Sequence, residues 1–405
     1  MRVITDLHIH SRFSRATSKD LTIINLEKWA KVKGIDLLGT GDFCHPEWIK
    51  ELKSELKEDG TGILKTKSGF PFILSNEISL MYSQGGKGRR IHLVFLAPNF
   101  DVVDKITKYL KTKGRIDYDG RPIFNISCEE FAAELMKISK DIEIIPAHAW
   151  TPWFGIFGSA TGFDSIEEAF GEQAKNIHAF ETGMSSDPEM NWRLSNLDKY
   201  AIVSFSDSHS FWPWRIGREA TAFDLKELSY KNIIDAIKNK KIAFTIETSP
   251  SYGKYHYDGH RVCGFSCSPE ESLKLKNICP VCKKPLVIGV LNRVEKLADR
   301  PESFRPKDAR PFKTLLPLHE IISAILGTAM ASKKVWQEYD KLISAFGNEL
   351  NILLNASRED LKKATTDKIA ASILKNREGK IKVKPGYDGE YGVPILEAEK
   401  QEKLF

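Results

Sequence analysis

The chain of 405 residues contains no uninterrupted run of about 18 apolar residues, the length that a membrane-crossing helix needs. Its opening stretch, MRVITDLHIH, lacks the basic-then-apolar layout of a secretory leader, so a cytoplasmic protein without a membrane partner is expected. Glutamine is scarce: Gln84, Gln173, Gln337 and Gln401 stand beside abundant Lys and Glu, a bias met in proteins of hot environments. Cysteines are few and unevenly placed. Cys44 and Cys128 stand alone, whereas Cys263, Cys267, Cys279 and Cys282 share one short window, which favours a metal over a disulfide framework. Strong charge of one sign is also missing; a formal net charge of +6 permits a nucleic-acid partner without requiring one.

What is present points to two or three domains. Over residues 1–250, short apolar runs (VITDLH, IDLLGTGD, PFILSNE, IHLVFLA, IEIIPAH, IHAFETG, AIVSFSD, KIAFTIE) alternate with segments of helical periodicity such as SCEEFAAELMKISK. That order predicts an α/β domain with a mainly parallel sheet or a βα barrel. SPSYGKYHYDGH then reads as a linker into a cysteine module spanning residues 251–290. A third segment, 291–400, is expected to be mainly helical, with Ser357 to Asp360 resembling a capping box. The tail KPGYDGEYGVPI predicts a short hairpin with Asp388-Gly389 at its tip.

The strongest local pattern is Asp6-Leu7-His8-Ile9-His10, where strand alternation turns both imidazoles to one side. Later strand ends supply Asp42 with nearby His45, then Glu77, His92, His148, and the pair Asp207 and His209. One His at a strand end is an ordinary core or surface residue, but a succession of polar groups at one rim is expected to converge. Imidazole and carboxylate ligands suit Zn, Mn, Fe or Mg, and a carboxylate such as Glu77 can bridge two ions. Paired ions serve an in-line displacement at phosphorus, activating water on one side and neutralising the leaving oxygen on the other. His178 and Glu181, on another predicted strand, read as outer partners of the ligands or as structural groups.

These motifs, DLHIHS, the strand-end Asp42, SNE at 75–77, the His of IHLVF, PAH at 146–148 and SDSH, resemble those of the polymerase and histidinol phosphatase (PHP) superfamily. The resemblance covers roughly residues 1–250 and implies a distorted βα barrel with a two- or three-ion phosphoesterase centre. Two departures bear on a third ion: Gly41-Asp42-Phe43 stands where Thr-Asp-His is usual, and the Arg15 region offers no acidic or His ligand. A third ion then depends on Asp42 or His45.

Cys263-x3-Cys267 and Cys279-x2-Cys282 present four thiolates in two knuckles, which suits a structural tetrahedral zinc. A redox CxxC is the rival for the second pair alone, although Pro285 argues against the helix that such motifs open. A closed site of this kind folds a small module, here one that presents Lys283 and Lys284 toward DNA or serves only as a staple.

Other features bear on substrate. Lys87, Arg89 and Arg90 in GGKGRR precede His92 in an expected flexible loop and are candidates for backbone phosphates. Trp150 and Trp153, then Trp212 and Trp214, follow metal candidates directly; they are either exposed platforms for a base or an apolar lid. The whole order, a PHP domain, a four-cysteine zinc module and a helical tail, resembles the endonuclease Q family, with GTGDFCHPEW, HAWTPWFG, SDSHSFWPWR and KPGYDGEYG in keeping. That resemblance implies a repair enzyme for double-stranded DNA. It would nick on the 5′ side of deaminated bases (uracil, hypoxanthine, xanthine) and abasic sites, leaving a 3′ hydroxyl and a 5′ phosphate. A small-molecule phosphatase of the histidinol-phosphate kind and a noncatalytic DNA-binding PHP protein are the alternatives. The last residues, 401–405 (QEKLF), match the opening of a sliding-clamp-binding peptide but lack its paired aromatics, which leaves clamp binding and chance both open.

Overall fold

The computed structural model describes residues 1–395, so the 401–405 segment and its clamp reading lie outside the described residues. The strands that carry the site are β1 (Arg2–Asp6), β2 (Leu37–Gly39), β3 (Pro71–Gln84), β4 (Lys87–Ala97), β5 (Glu143–Pro146), β6 (Ala179–Glu181), β7 (Ala201–Val203), β8 (Ala220–Asp224) and β9 (Ile242–Glu247). β1, β2 and β3 are parallel neighbours, and β6 pairs with β7 in parallel. β8 and β9 extend the β1 edge antiparallel. The ring expected of a barrel is not laddered all the way round. Ile144 of β5 meets Ile177 at a single bridge, and another joins Ile9, beyond β1, to Ser208, beyond β7. Alternate side chains still share one enclosed core, to which Val3, Leu37, Ile73, Val94, Ile145 and Val203 contribute.

Between β3 and β5 the sheet departs from the mainly parallel order that the sequence predicts. β3 and β4 form a long antiparallel hairpin, and β5 adds antiparallel to β4. Gly85 and Gly86, both at positive φ (61° and 72°), make the two-residue turn whose twist matches that of the flanking strands. The segment expected as a flexible loop is therefore this turn and the start of β4. Thr22, Asn99, Ser127 and Ser229 each cap a following helix, the side-chain oxygen accepting a backbone N–H three residues on.

Beyond residue 250, the hairpin of Asp258–His260 and Phe265–Cys267 carries the cysteine module. Helices Leu318–Leu326, Lys333–Phe346, Glu349–Leu354, Arg358–Ala364 and Asp367–Arg377 form the helical segment, and Ser357 caps the helix placed there from sequence. The tail hairpin also forms: Lys382–Lys384 pairs with Val393–Ile395, and Asp388 and Gly389 sit at its tip with positive φ. A buried ion pair joins the first and last segments. Lys33 Nζ lies 2.6 Å from Glu349 Oε1 and donates to the Pro213 carbonyl at 2.8 Å. No helix among the described residues is long and apolar enough to cross a membrane.

Candidate metal centre and nucleic-acid face

Six of the predicted residues converge in two groups that share Glu77. His8, His10, Glu77 and Asp207 form the first, and Glu77, His92 and His148 the second. In the first, His10 Nε2 lies 3.1 Å from both Glu77 Oε2 and Asp207 Oδ1, and His8 Nε2 lies 3.5 Å from the same two oxygens. His8 Nε2 is buried and has no hydrogen-bond partner, as a nitrogen reserved for a cation should be. In the second, Glu77 Oε1 lies 2.8 Å from His92 Nδ1 and 3.2 Å from His148 Nε2. Glu77 and His92 are not at strand ends. Both sit inside the long hairpin, where Ser79 faces His92 and Glu77 faces Val94, so the two lie diagonally on one face.

Second partners fix the imidazoles. His8 Nδ1 meets Glu181 Oε2 at 2.8 Å, His10 Nδ1 meets Asp42 Oδ1 at 3.0 Å, and His148 Nδ1 meets Thr151 Oγ1 at 3.0 Å. With a proton on Nδ1 for these contacts, each ring would present Nε2 to the centre as an acceptor. Glu181 thus takes the outer-partner role expected of it, whereas His178 pairs with Glu143 at 3.0 Å, away from the centre. Burial alone would raise the Glu77 carboxyl, yet Arg121, His92 and His8 hold it well below the ordinary carboxylate range. Asp207 is likewise held low against burial, by His8 and His10. Burial pushes His92 down to about 3, leaving it the neutral ring that metal ligation requires. The donor set, two imidazoles with two carboxylates and two imidazoles sharing one of them, fits a pair of divalent ions.

Three predicted residues stand apart from these groups. Asp42 is fully buried and its oxygens are engaged: besides His10, it accepts Ser11 N–H at 2.6 Å, Ser11 Oγ at 2.7 Å and Ser14 Oγ at 2.8 Å. It orients His10 and does not join either group. His45 caps the helix Pro46–Glu55, with Nδ1 accepting Glu47 N–H and its ring stacked on Phe13. His209 lies over the His10 ring, with Nε2 3.6 Å from Asp207 Oδ1 and Nδ1 near the Arg15 carbonyl, outside the clusters yet beside the first.

The four cysteines of the module cluster as expected, and a histidine joins them. His260, Cys263, Cys279 and Cys282 bring ligand atoms close enough together for one ion, and Cys267 packs beside them in the same cluster. Hairpin register explains this. His260 pairs with Phe265 beside the turn that holds Cys263, whereas Cys267 pairs with Asp258, two residues further along, about 6.6 Å at a strand's rise per residue. His260 Nδ1 lies 3.4 Å from Cys282 Sγ. The Cys-x3-Cys spacing obscured a His three residues before Cys263, which was the legible signal.

Of the residues proposed for DNA, Lys87, Arg90, Lys283 and Lys284 are exposed. Arg89 is not: its guanidinium lies 3.9 Å from the Phe163 ring centroid and bonds the Gly162 carbonyl and Glu168. Trp150 is fully buried and donates to Asn191 Oδ1. Trp212 and Trp214 stack on each other and pack tilted against Trp336 of the helical segment, half-buried. Only Trp153 of the four is exposed, at 37%. Between residues 293 and 313, Arg293 pairs with Asp164 and Arg300 with Asp198, while Lys296, Arg305, Lys307, Arg310 and Lys313 are exposed.

A cavity of about 490 Å³ opens directly beside the second ligand group. Trp153, Phe154, Tyr255, His256 and Tyr391 contribute rings, and Arg121, Arg218 and Lys254 contribute positive charge. Sequence reasoning missed Tyr255, His256, Tyr391 and Arg121, which come from loops and the tail that carry no metal pattern. Burial holds His256 at about 4, hence neutral at pH 7, and its Nδ1 has no partner.

Residues 317–380 match the family model of the MJ0043 C-terminal domain. MJ0043 of Methanocaldococcus jannaschii is 32% identical over 294 residues, 71% of this chain, and the chain spans only 36% of that protein's length. YqxK of Bacillus subtilis is 29% identical over 96% of this chain and 98% of its own. Among solved structures, the lesion-specific endonuclease PfuEndoQ from Pyrococcus furiosus has a TM-score of 0.88 and 32% identity, over 100% of this chain and 98% of its own. An endonuclease Q bound to a 27-mer duplex substrate with an abasic lesion at the active site gives a TM-score of 0.88 at 33% identity, with both chains covered fully. With the fold and a third of the residues shared from end to end, the chain belongs to the endonuclease Q family.

Proposed function

We propose that this chain is a metal-dependent DNA repair endonuclease that cuts the phosphodiester on the 5′ side of an altered nucleotide. Its substrates in this reading are duplexes bearing uracil, hypoxanthine, xanthine or an abasic site. The observation that carries the reading is the pair of ligand groups joined through Glu77 beside an aromatic cavity. Divalent ions held by His8, His10, Glu77, His92, His148 and Asp207 would supply an activated water and neutralise phosphoryl charge. Glu181, Asp42 and Thr151 hold the imidazole tautomers that make this possible. Residues 1–250 carry hydrolysis, 251–290 form the metal-stabilised module, and the helices between 318 and 377 buttress the first segment through Lys33 and the tryptophan contacts.

The cavity is suited to a nucleotide turned out of the duplex. Altered or mismatched bases unstack at lower cost, so part of the selectivity arises before the base is read. Deamination replaces an exocyclic amino group by a carbonyl beside a ring N–H, and the neutral His256 ring and the backbone of Gly183 to Ser185 offer acceptors and donors for that edge. Lys254 and Arg218 at the same cavity serve the flanking phosphates.

The test is to incubate labelled duplexes carrying uracil, hypoxanthine or an abasic site with the protein and Mg or Mn, and to map the cut. A 5′-side nick with a 3′ hydroxyl is expected, and His8→Ala should abolish it. Failure on all three lesions removes the repair assignment. Turnover of a soluble phosphomonoester without nicking would favour a small-molecule phosphatase instead.

A further inference from the structure

We propose that the Arg121 guanidinium occupies the place where a third ion would otherwise act, and that it is a catalytic residue that binds the scissile phosphate. This rests on the phosphodiesterase reading above. Asp42 and His45, the sequence candidates for a third position, are both turned to other partners, Asp42 through four hydrogen bonds and His45 through its capping contact. Arg121 enters that region from a different loop. Its Nη1 lies 2.9 Å from Glu77 Oε2, the same oxygen that faces His8 and His10. The side chain is 26% exposed, and it lines the cavity together with His92, His148 and Asp207.

The turn that delivers it is built against the residues that would otherwise have held the ion. Gly120 lies so close to Asp42 and Ser14 that a Cβ there would collide with the Asp42 carboxylate. Gly120 N–H donates to the Phe13 carbonyl at 3.1 Å, Arg121 N–H donates to Asp119 Oδ1 at 3.1 Å, and buried Asp119 pairs with Arg15 at 3.3 Å. Asp119-Gly120-Arg121 is thereby fixed to the loop that follows β1. A guanidinium is always charged and carries five donors, so one contact with Glu77 leaves others for a phosphoryl oxygen.

In the reaction, the water oxygen bonds to phosphorus as the P–O3′ bond breaks. The electron pair leaves on O3′, which takes a proton from solvent, and the proton lost by the water passes to solvent. Arg121 donates to a non-bridging oxygen throughout and offsets the charge that accumulates there.

Arg121→Met and Arg121→Lys in the full-length metal-loaded protein test this, with ion content by elemental mass spectrometry beside single-turnover cleavage. Arg121→Met should keep the wild-type ion count, cleave about 10²–10³-fold more slowly, and regain rate on addition of guanidinium chloride. Arg121→Lys should fall between. Cleavage by Arg121→Met within about threefold of wild type would overturn the proposal. So would loss of an ion with no recovery in guanidinium, because that outcome makes Arg121 a structural partner of Glu77. If wild type spares every lesion duplex yet hydrolyses bis(p-nitrophenyl) phosphate, the same comparison is made on that diester, so that the lesion reading and this one fail separately.

Discussion

Asp42→Asn separates two roles that the motif alone cannot separate: ligand of an ion, or orienter of His10. In the carboxylate, Oδ1 accepts His10 Nδ1–H and Oδ2 accepts the Ser11 amide and two hydroxyls. Asparagine keeps one oxygen. The two hydroxyls can rotate to suit a new partner, but the Ser11 N–H cannot, so the amide oxygen stays on that side and the NH2 faces His10. Nδ1 must then accept, and the ring proton moves to Nε2, the atom that faces Glu77 and Asp207. A protonated Nε2 cannot bind an ion.

Loss of such an outer partner costs about 10–100-fold in metal affinity or activity, or about 1.4–2.7 kcal/mol at 1.36 kcal/mol per tenfold. A stability loss of about 1–3 kcal/mol should accompany it, for a buried donor left without its partner. Calorimetric titration of the apo variant with Mn or Zn, alongside thermal melts, reads both. The expected result is weaker binding of one ion with unchanged stoichiometry at saturation. An Asp42→Asn protein that melts and binds like wild type would refute the tautomer argument, and one that loses an ion outright at saturation would restore Asp42 as a ligand.

Three further outcomes follow from other parts of the molecule. Lys33→Met leaves the buried Glu349 carboxylate with only the Leu318 amide and Tyr339 hydroxyl as donors, and should destabilise the chain by about 3–5 kcal/mol in urea denaturation without altering ion content. Cys267→Ser should retain the module's metal, whereas His260→Ala and Cys263→Ser should each lose it; elemental analysis decides between this tetrad and a four-cysteine one. Burial, opposed by the Thr248 amide and Arg218, raises the Glu219 carboxyl above its ordinary 4.5, and the unfolded chain therefore releases that proton first. Stability should fall as pH rises from 4.5 through the raised native value, and Glu219→Gln should flatten that part of the melting profile.

The candidate ligands were legible because each sits in or just after a short apolar run, and six of them converge in two groups. Their partners were less so. Glu181 was marked by lying on a predicted strand, but the role of Asp42 depends on which way its side chain turns after β2. Long-range register, invisible in spacing, brought His260 beside the cysteines and carried Glu77 and His92 into the middle of a hairpin. The tryptophans stayed open between platform and lid for a related reason. A Trp after a metal ligand looks alike in sequence whether it faces solvent or, like Trp212 and Trp214, a helix more than a hundred residues away.

Backbone strain shows what the motif reading leaves out. Asp42, His148 and Asp207 all lie at positive φ (46°, 30° and 47°), a region that side chains other than Gly seldom occupy. Each stands where the chain leaves a strand, and simple alternation would aim its side chain elsewhere. At about 1–3 kcal/mol apiece, three such residues consume an amount comparable with the whole net stability of a domain, about 5–15 kcal/mol. They persist because neighbours over-determine them: four hydrogen bonds on Asp42, and Gly183 beside His148, where a Cβ would come within 2.6 Å of the His148 Cβ. Asp tolerates the left-handed region better than most residues, because its short side chain can bond locally. Two of the three strained positions therefore favour Asp for the backbone as well as for its carboxylate. At Asp207, Glu would keep the ligand chemistry and lose the turn that aims it, so the choice between two acids is made by φ and not by charge.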